Sequence, residues 1–143
     1  MSKIKNMNLD VASFALSRVS YVMEKEDINL KEYKTLVKKI PTLIQKNGYI
    51  NTLVFNLSKK NKAQHKEILD NIIQWNLQNE KINYLIKKSK GLEDLKDDNY
   101  KYKSYIEDIC NLNQAQYRLI SKEMMNLFAW IKRFADGMIQ DEE

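Results

Sequence analysis

The chain has 143 residues, a formal net charge of +5, 30% charged residues, three glycines, one proline and one cysteine. Its length suits a single core, which typically serves roughly 100–200 residues, and such a chain buries about 68–70% of its unfolded surface without a metal or disulfide staple. So few glycines and prolines exclude the tight turns of all-β and α/β folds, and no run approaches the ~18 apolar residues of a membrane span.

These features predict an all-α fold: a single-domain compact bundle of about six to seven helices over residues 1–143, with a short solvated tail at 136–143. Cys110 has no partner for an internal bridge, and "MSKIKNMNLDVASFALSRV" lacks a signal-like apolar stretch. Both fit a cytoplasmic protein with no membrane partner.

Leu9, Ala12, Leu16, Val19 and Met23 recur at helical spacing and predict the buried stripe of a first helix, widened by Val11, Ala15 and Val22. After "EKEDIN" breaks the pattern, Asn29 with Glu32 three residues later reads as a capping-box variant opening a second helix. Its apolar positions are Leu30, Tyr33, Val37, Ile40 and Ile44, with Lys31, Lys34 and Lys38 on another face. Pro41 lacks an N–H and clashes with the carbonyl four residues back, which predicts a kink or restart near Ile40. Gly48 suits the left-handed position past a helix end, with Tyr49 folding back on the last turn. A third helix then starts in "YINTLVFNLSKK".

The stretch "NKAQHKEILDNIIQWNLQNEKINYLIKKS" carries Ile68, Ile72, Trp75, Leu77, Ile82, Leu85 and Ile86, which fit one long helix or two joined near Gln78–Glu80. "KGLEDLKDDNYK" reads as a loop, with Gly91 ending the preceding helix. "YKSYIEDIC" is a short helix, and Asn111 or Asn113 caps the last one, "AQYRLISKEMMNLFAWIKRFADGMI". Ile120, Met124, Phe128, Ile131 and Ala135 form its core stripe, extended by Leu127, Trp130 and Phe134. Arg118, Lys122, Lys132 and Arg133 lie within about a third of its circumference. Gly137 is expected to end it.

Little here can carry catalysis. His65 is the only histidine, flanked by Gln64 and Lys66, and reads as a surface residue. With Cys110 it cannot supply the roughly four ligands zinc needs, nor a Cys–His arrangement for nucleophilic attack. Three scattered glycines make no phosphate loop. Glu93, Asp94, Asp97 and Asp98 lack the glycine and alternating ligands of a calcium loop, and read as solvated acids. Tyr100, Tyr102 and Tyr105 alternate with lysines, a pattern open to base stacking, although packing at a loop–core boundary is the favoured reading. No catalytic, cofactor or metal residue is assigned, and no enzyme activity is expected.

Charge is uneven along the chain. Residues 31–66 hold nine lysines and one acid, a net +8, so the remainder sums to −3. A basic segment in a mildly acidic remainder points to a polyanion, nucleic acid first. Lysine outnumbers arginine 21 to 3, beside 15 asparagines and 15 isoleucines, as AT-rich coding would produce. The clustering of the lysines is therefore more informative than their number.

Residues 32–55, "EYKTLVKKIPTLIQKNGYINTLVF", resemble the signature of the small α-helical subunit of the Cmr complex, the type III-B CRISPR effector. The matching positions are Tyr33, Leu36, Val37, Lys38, Lys39, Pro41, Leu43, Ile44, Asn47, Gly48, Leu53 and Phe55; Tyr49 departs from the aliphatic residue of the pattern. The family's C-terminal pattern is matched by Tyr117, Arg118, Trp130, Ile131, Lys132, Arg133, Phe134 and Ala135. With the first helix, the resemblance covers about half the chain; residues 60–110 rest on periodicity alone.

The resemblance implies a non-catalytic subunit that stacks beside the duplex of guide RNA and target RNA in antiviral defence. Implied partners are the backbone repeat subunit, the large Cas10-type subunit and further copies of itself. Such a subunit follows phosphates without reading sequence, since base pairing does the reading. Matched positions point to Lys38, Lys39, Arg118, Lys132 and Arg133 for RNA contact, and charge and spacing add Lys46 and Lys122. Trp130 and Pro41 read as core and backbone geometry. Two other readings stand beside this one: the equivalent subunit of a Csm-type complex, and a helical adaptor that binds proteins only.

Overall fold

The computed structural model describes residues 7–87 and 98–140. Within them lie α1 (Met7–Glu24), α2 (Leu30–Asn47), α3 (Tyr49–Ser58), α4 (Ala63–Gln78), a 3-10 turn (Asn83–Leu85), α5 (Asp98–Cys110) and α6 (Gln114–Met138), with no strand among the described residues. The all-α expectation holds. No helix among the described residues is long and apolar enough to cross a membrane.

Helix α6 is the centre of the architecture, packed between α1 and α2; α3 joins α2 to α4, and α5 lies on α3. Its stripe is buried as expected: Ile120, Met124, Leu127, Phe128, Ile131 and Ala135 are all fully enclosed, while Trp130 and Phe134 are half-buried at its edge. A full capping box starts the helix. The Gln116 N–H donates to Asn113 Oδ1 (2.9 Å) and the Asn113 N–H donates to Gln116 Oε1 (3.0 Å), satisfying two otherwise orphaned donors.

Helices α2 and α6 run antiparallel, a register read from three contacts. Lys34 Nζ donates to the carbonyl of Ile139 (2.8 Å), Lys38 pairs with Asp136, and the hydroxyl of Tyr117 accepts from the N–H of Ile50 (3.0 Å). The last contact matters locally, because α3 opens on Gly48 with no side-chain cap. Tyr117 reaches across from α6 to satisfy one of the free N–H groups of that first turn.

Several sequence expectations need correction. Helix α2 runs unbroken through Pro41, with no restart at Ile40. Tyr33, Val37, Ile40 and Ile44 are buried on both sides of the proline, and a buried aliphatic or aromatic side chain contributes roughly 1.5–3 kcal/mol. Together they exceed the ~3 kcal/mol helix penalty of proline. Gly48 does stop the helix, but at φ +90° and ψ 157° it lies outside the left-handed helical well, in an extended positive-φ region that only glycine visits readily. Lys34, read on a face apart from the apolar stripe, is buried and pins the two helices. Asn29 caps α2 through the Glu32 N–H (3.0 Å), yet the Glu32 carboxylate turns away to accept from Gln64 (3.0 Å), so the box is half made.

The buried face of α1 is Val11, Phe14, Ala15, Val19 and Val22, whereas Leu9, Leu16 and Met23 of the expected stripe are exposed. The helix is apolar over much of its circumference, and the position of α6 decides which part is covered. Helix α4 ends at Gln78, so the long apolar run divides there, continuing as the 3-10 turn rather than a second helix. At the C-terminus α6 passes through Gly137 to Met138 and Ile139 is buried, so 136–139 is not solvated tail. Gly91 lies outside the described residues.

Candidate nucleic-acid interface

Burying the apolar stripes of α2 and α6 against each other leaves their polar faces outward. Lys38, Lys39, Lys46, Arg118, Lys122, Lys132 and Arg133 are all exposed. At about 100° per residue, Lys31 and Lys38 align along α2, where Lys38 meets α6, while Lys39 and Lys46 align roughly a quarter turn away. The antiparallel register puts Lys132, one turn before Asp136, near Lys38 at one end of the seam. Lys46 lies at the other end, where α6 begins with Arg118 and Lys122. An 18-residue helix is about 27 Å long, so the basic surface is a strip rather than a pocket.

The strip is not uniform. Lys38 Nζ lies 3.2 Å from Asp136 Oδ1, with both side chains close to half exposed. Such surface pairs contribute about 1 kcal/mol or less, so a phosphate can compete for the lysine. Arg133 lies over the Trp130 ring at 5.0 Å, and Trp130 stacks on Phe134 with centroids 6.1 Å apart. The cation–π contact favours this placement of the guanidinium. Lys39, Lys46, Arg118, Lys122 and Lys132 form no ion pair among the described residues.

Lys39 belongs to a second feature that sequence reasoning missed. It lines a cleft of about 470 Å³ between α2 and the α3–α4 connection, with Lys31, Lys59, Phe55, Gln64 and His65. His65, expected at the surface, is only 6% exposed. It continues the inward face of Ile68 and Ile72, a helical spacing that could have flagged it. The amide nitrogen of Asn56 donates to the Thr52 carbonyl (2.9 Å), which leaves Asn56 Oδ1 to accept from His65 Nδ1–H (2.9 Å). Burial, then the nearby Lys59 and Lys62, hold the imidazole below its ordinary pKa of 6.5; Glu32 acts in the opposite direction and Lys39 in the same. The run "SKKNK" at 58–62 was the sequence signal for this cleft, but connection residues have no helical period to place them.

Tyr102 and Tyr105 are buried, as the packing reading expects, while Tyr100 is exposed. Asp98 is engaged by Lys66 (3.3 Å) and Lys101 (3.6 Å); Glu93, Asp94 and Asp97 lie outside the described residues. Among the described residues no three His, Cys, Asp or Glu side chains are grouped to hold a metal. Burial raises the Glu67 carboxyl above its ordinary pKa, with Asp70 adding to the shift. A family model described as CRISPR-associated protein (Cas_Cmr5) matches residues 7–138.

Proposed function

The chain belongs to the Cmr5 family of CRISPR-associated proteins, subunits of the Cmr-type, type III-B complex, and from that premise we propose that it is a non-catalytic subunit that holds RNA. It stacks along the duplex of guide RNA and target RNA and touches phosphates through the outward faces of α2 and α6, supporting target binding in antiviral defence in the cytoplasm. Its partners are the backbone repeat subunit, the large Cas10-type subunit and further copies of itself. The observation that carries this reading is the strip of exposed cations along two antiparallel helices whose other faces form the core. Lysine and arginine on rigid helices bind phosphate by charge and need no base contact.

The test is the quadruple variant K38E/K39E/K132E/R133E in the assembled complex. Target RNA binding falls while the variant still co-purifies with the other subunits. Assembly together with unchanged RNA binding would favour the protein-only adaptor instead.

A further inference from the structure

We propose that the cleft between α2 and the α3–α4 connection takes one unpaired nucleotide of an RNA strand, its base against Phe55 and its phosphates on Lys39 and Lys59. The inference rests on the RNA-holding reading above and extends it from phosphate contact to the capture of a base.

The cleft has the composition such a ligand requires. Its volume of about 470 Å³ falls in the ~300–1,000 Å³ range of small-molecule sites. Phe55 is half-buried at its wall, anchored to the core on one side and in edge contact with His65, centroids 5.3 Å apart. The Lys59 ammonium lies 5.6 Å from the centre of the Phe55 ring. A base arriving on that ring would displace Lys59 from it, and the freed ammonium is then in reach of the adjoining phosphate. Lys31 and Lys39 supply charge from the α2 side. The one acid of the lining, Glu32, already accepts from Gln64.

Three lysines and one occupied carboxylate favour an anion, and the aromatic wall favours one with a π face. A single-stranded nucleotide offers both, whereas a continuous duplex keeps its base faces stacked internally. The strip on α2 and α6 and the cleft share the helix that carries Lys38 and Lys39, so a strand following one can enter the other. His65 serves as an internal reporter. It is the only histidine in the chain, and a phosphate at Lys59 and Lys39 offsets the charges that depress its pKa.

The experiment compares the full-length wild type with Phe55→Leu and Phe55→Tyr, measuring affinity for a single-stranded uridine oligonucleotide and for a blunt RNA duplex at one salt concentration. One stacked base is worth about 1–3 kcal/mol. Phe55→Leu is therefore expected to lose roughly 5- to 150-fold in single-strand affinity, with duplex affinity unchanged and Phe55→Tyr near wild type. In parallel, the His65 imidazole resonance titrates at higher pH when the single strand is bound. Equal effects of Phe55→Leu on both RNAs, or none on either, overturn the nucleotide cleft while leaving the phosphate-holding reading intact. Failure of the wild type to bind either RNA in a salt-dependent way overturns that reading and the cleft together.

Discussion

His65 shows how one residue can report its surroundings. Its ring donates to Asn56 on the buried side, and burial, then the nearby Lys59 and Lys62, disfavour its protonated form. The folded pKa lies below the ordinary 6.5, so just below pH 6.5 the unfolded chain binds the extra proton and the folded chain does not. Stability from this group is therefore full above about pH 6.5, declines as pH falls through that value, and levels off below the folded pKa. Urea unfolding between pH 5.5 and 7.5 is expected to show this slope in the wild type and a flatter one in His65→Gln; equal slopes would contradict the assignment. The flanking Gln64 and Lys66 pointed to a solvated surface, and only the helical spacing to Ile68 and Ile72 could have flagged the burial. Gly48 was half legible. The composition at the helix end identified the stop, but its extended positive-φ geometry depends on how α3 turns back under Tyr117.

At the scale of elements, periodicity located helices better than it oriented them. In α6 the apolar positions form one narrow stripe, so the sequence alone identified the buried face, while the cap stayed open between Asn111 and Asn113 until the fold selected Asn113. In α1 apolar residues occupy two adjoining stripes, and only the packed position of α6 distinguishes Val11, Ala15 and Val22 from Leu9, Leu16 and Met23. Pro41 is the opposite case: the helix break that a proline favours does not occur, and buried residues flank it on either side. Because α2 is continuous, Pro41→Ala restores the donor for the Val37 carbonyl and removes a ~3 kcal/mol helix penalty. The more flexible unfolded chain takes back about 1 kcal/mol. A net gain of roughly 1–2 kcal/mol is expected as a higher urea midpoint with an unchanged slope. A lower midpoint would mean that the ring itself is a required packing element.

At the scale of the molecule, the cluster of charge along the sequence and the surface in space coincide only in part. Of the nine lysines in residues 31–66, Lys34 is buried as a pin and Lys66 is paired with Asp70 and Asp98. Of those that remain, Lys38 and Lys46 lie along the α2–α6 strip and Lys31, Lys39 and Lys59 line the Phe55 cleft, a division that linear spacing could not show because it depends on the antiparallel register and on the α3–α4 connection. The strip also draws cations from α6, a helix with little net charge in sequence. What the molecule then presents is a helical support with exposed cations along α2 and α6, the surface on which the proposed phosphate contacts rest.

The most direct test of this account is the salt dependence of single-stranded RNA binding by the isolated protein. Neutralising about four phosphates gives a slope of log K against log salt near −3. The account predicts that slope for the wild type and a markedly shallower one for K38E/K39E/K132E/R133E. Affinity that does not change with salt, or a slope that the four substitutions leave untouched, would contradict it.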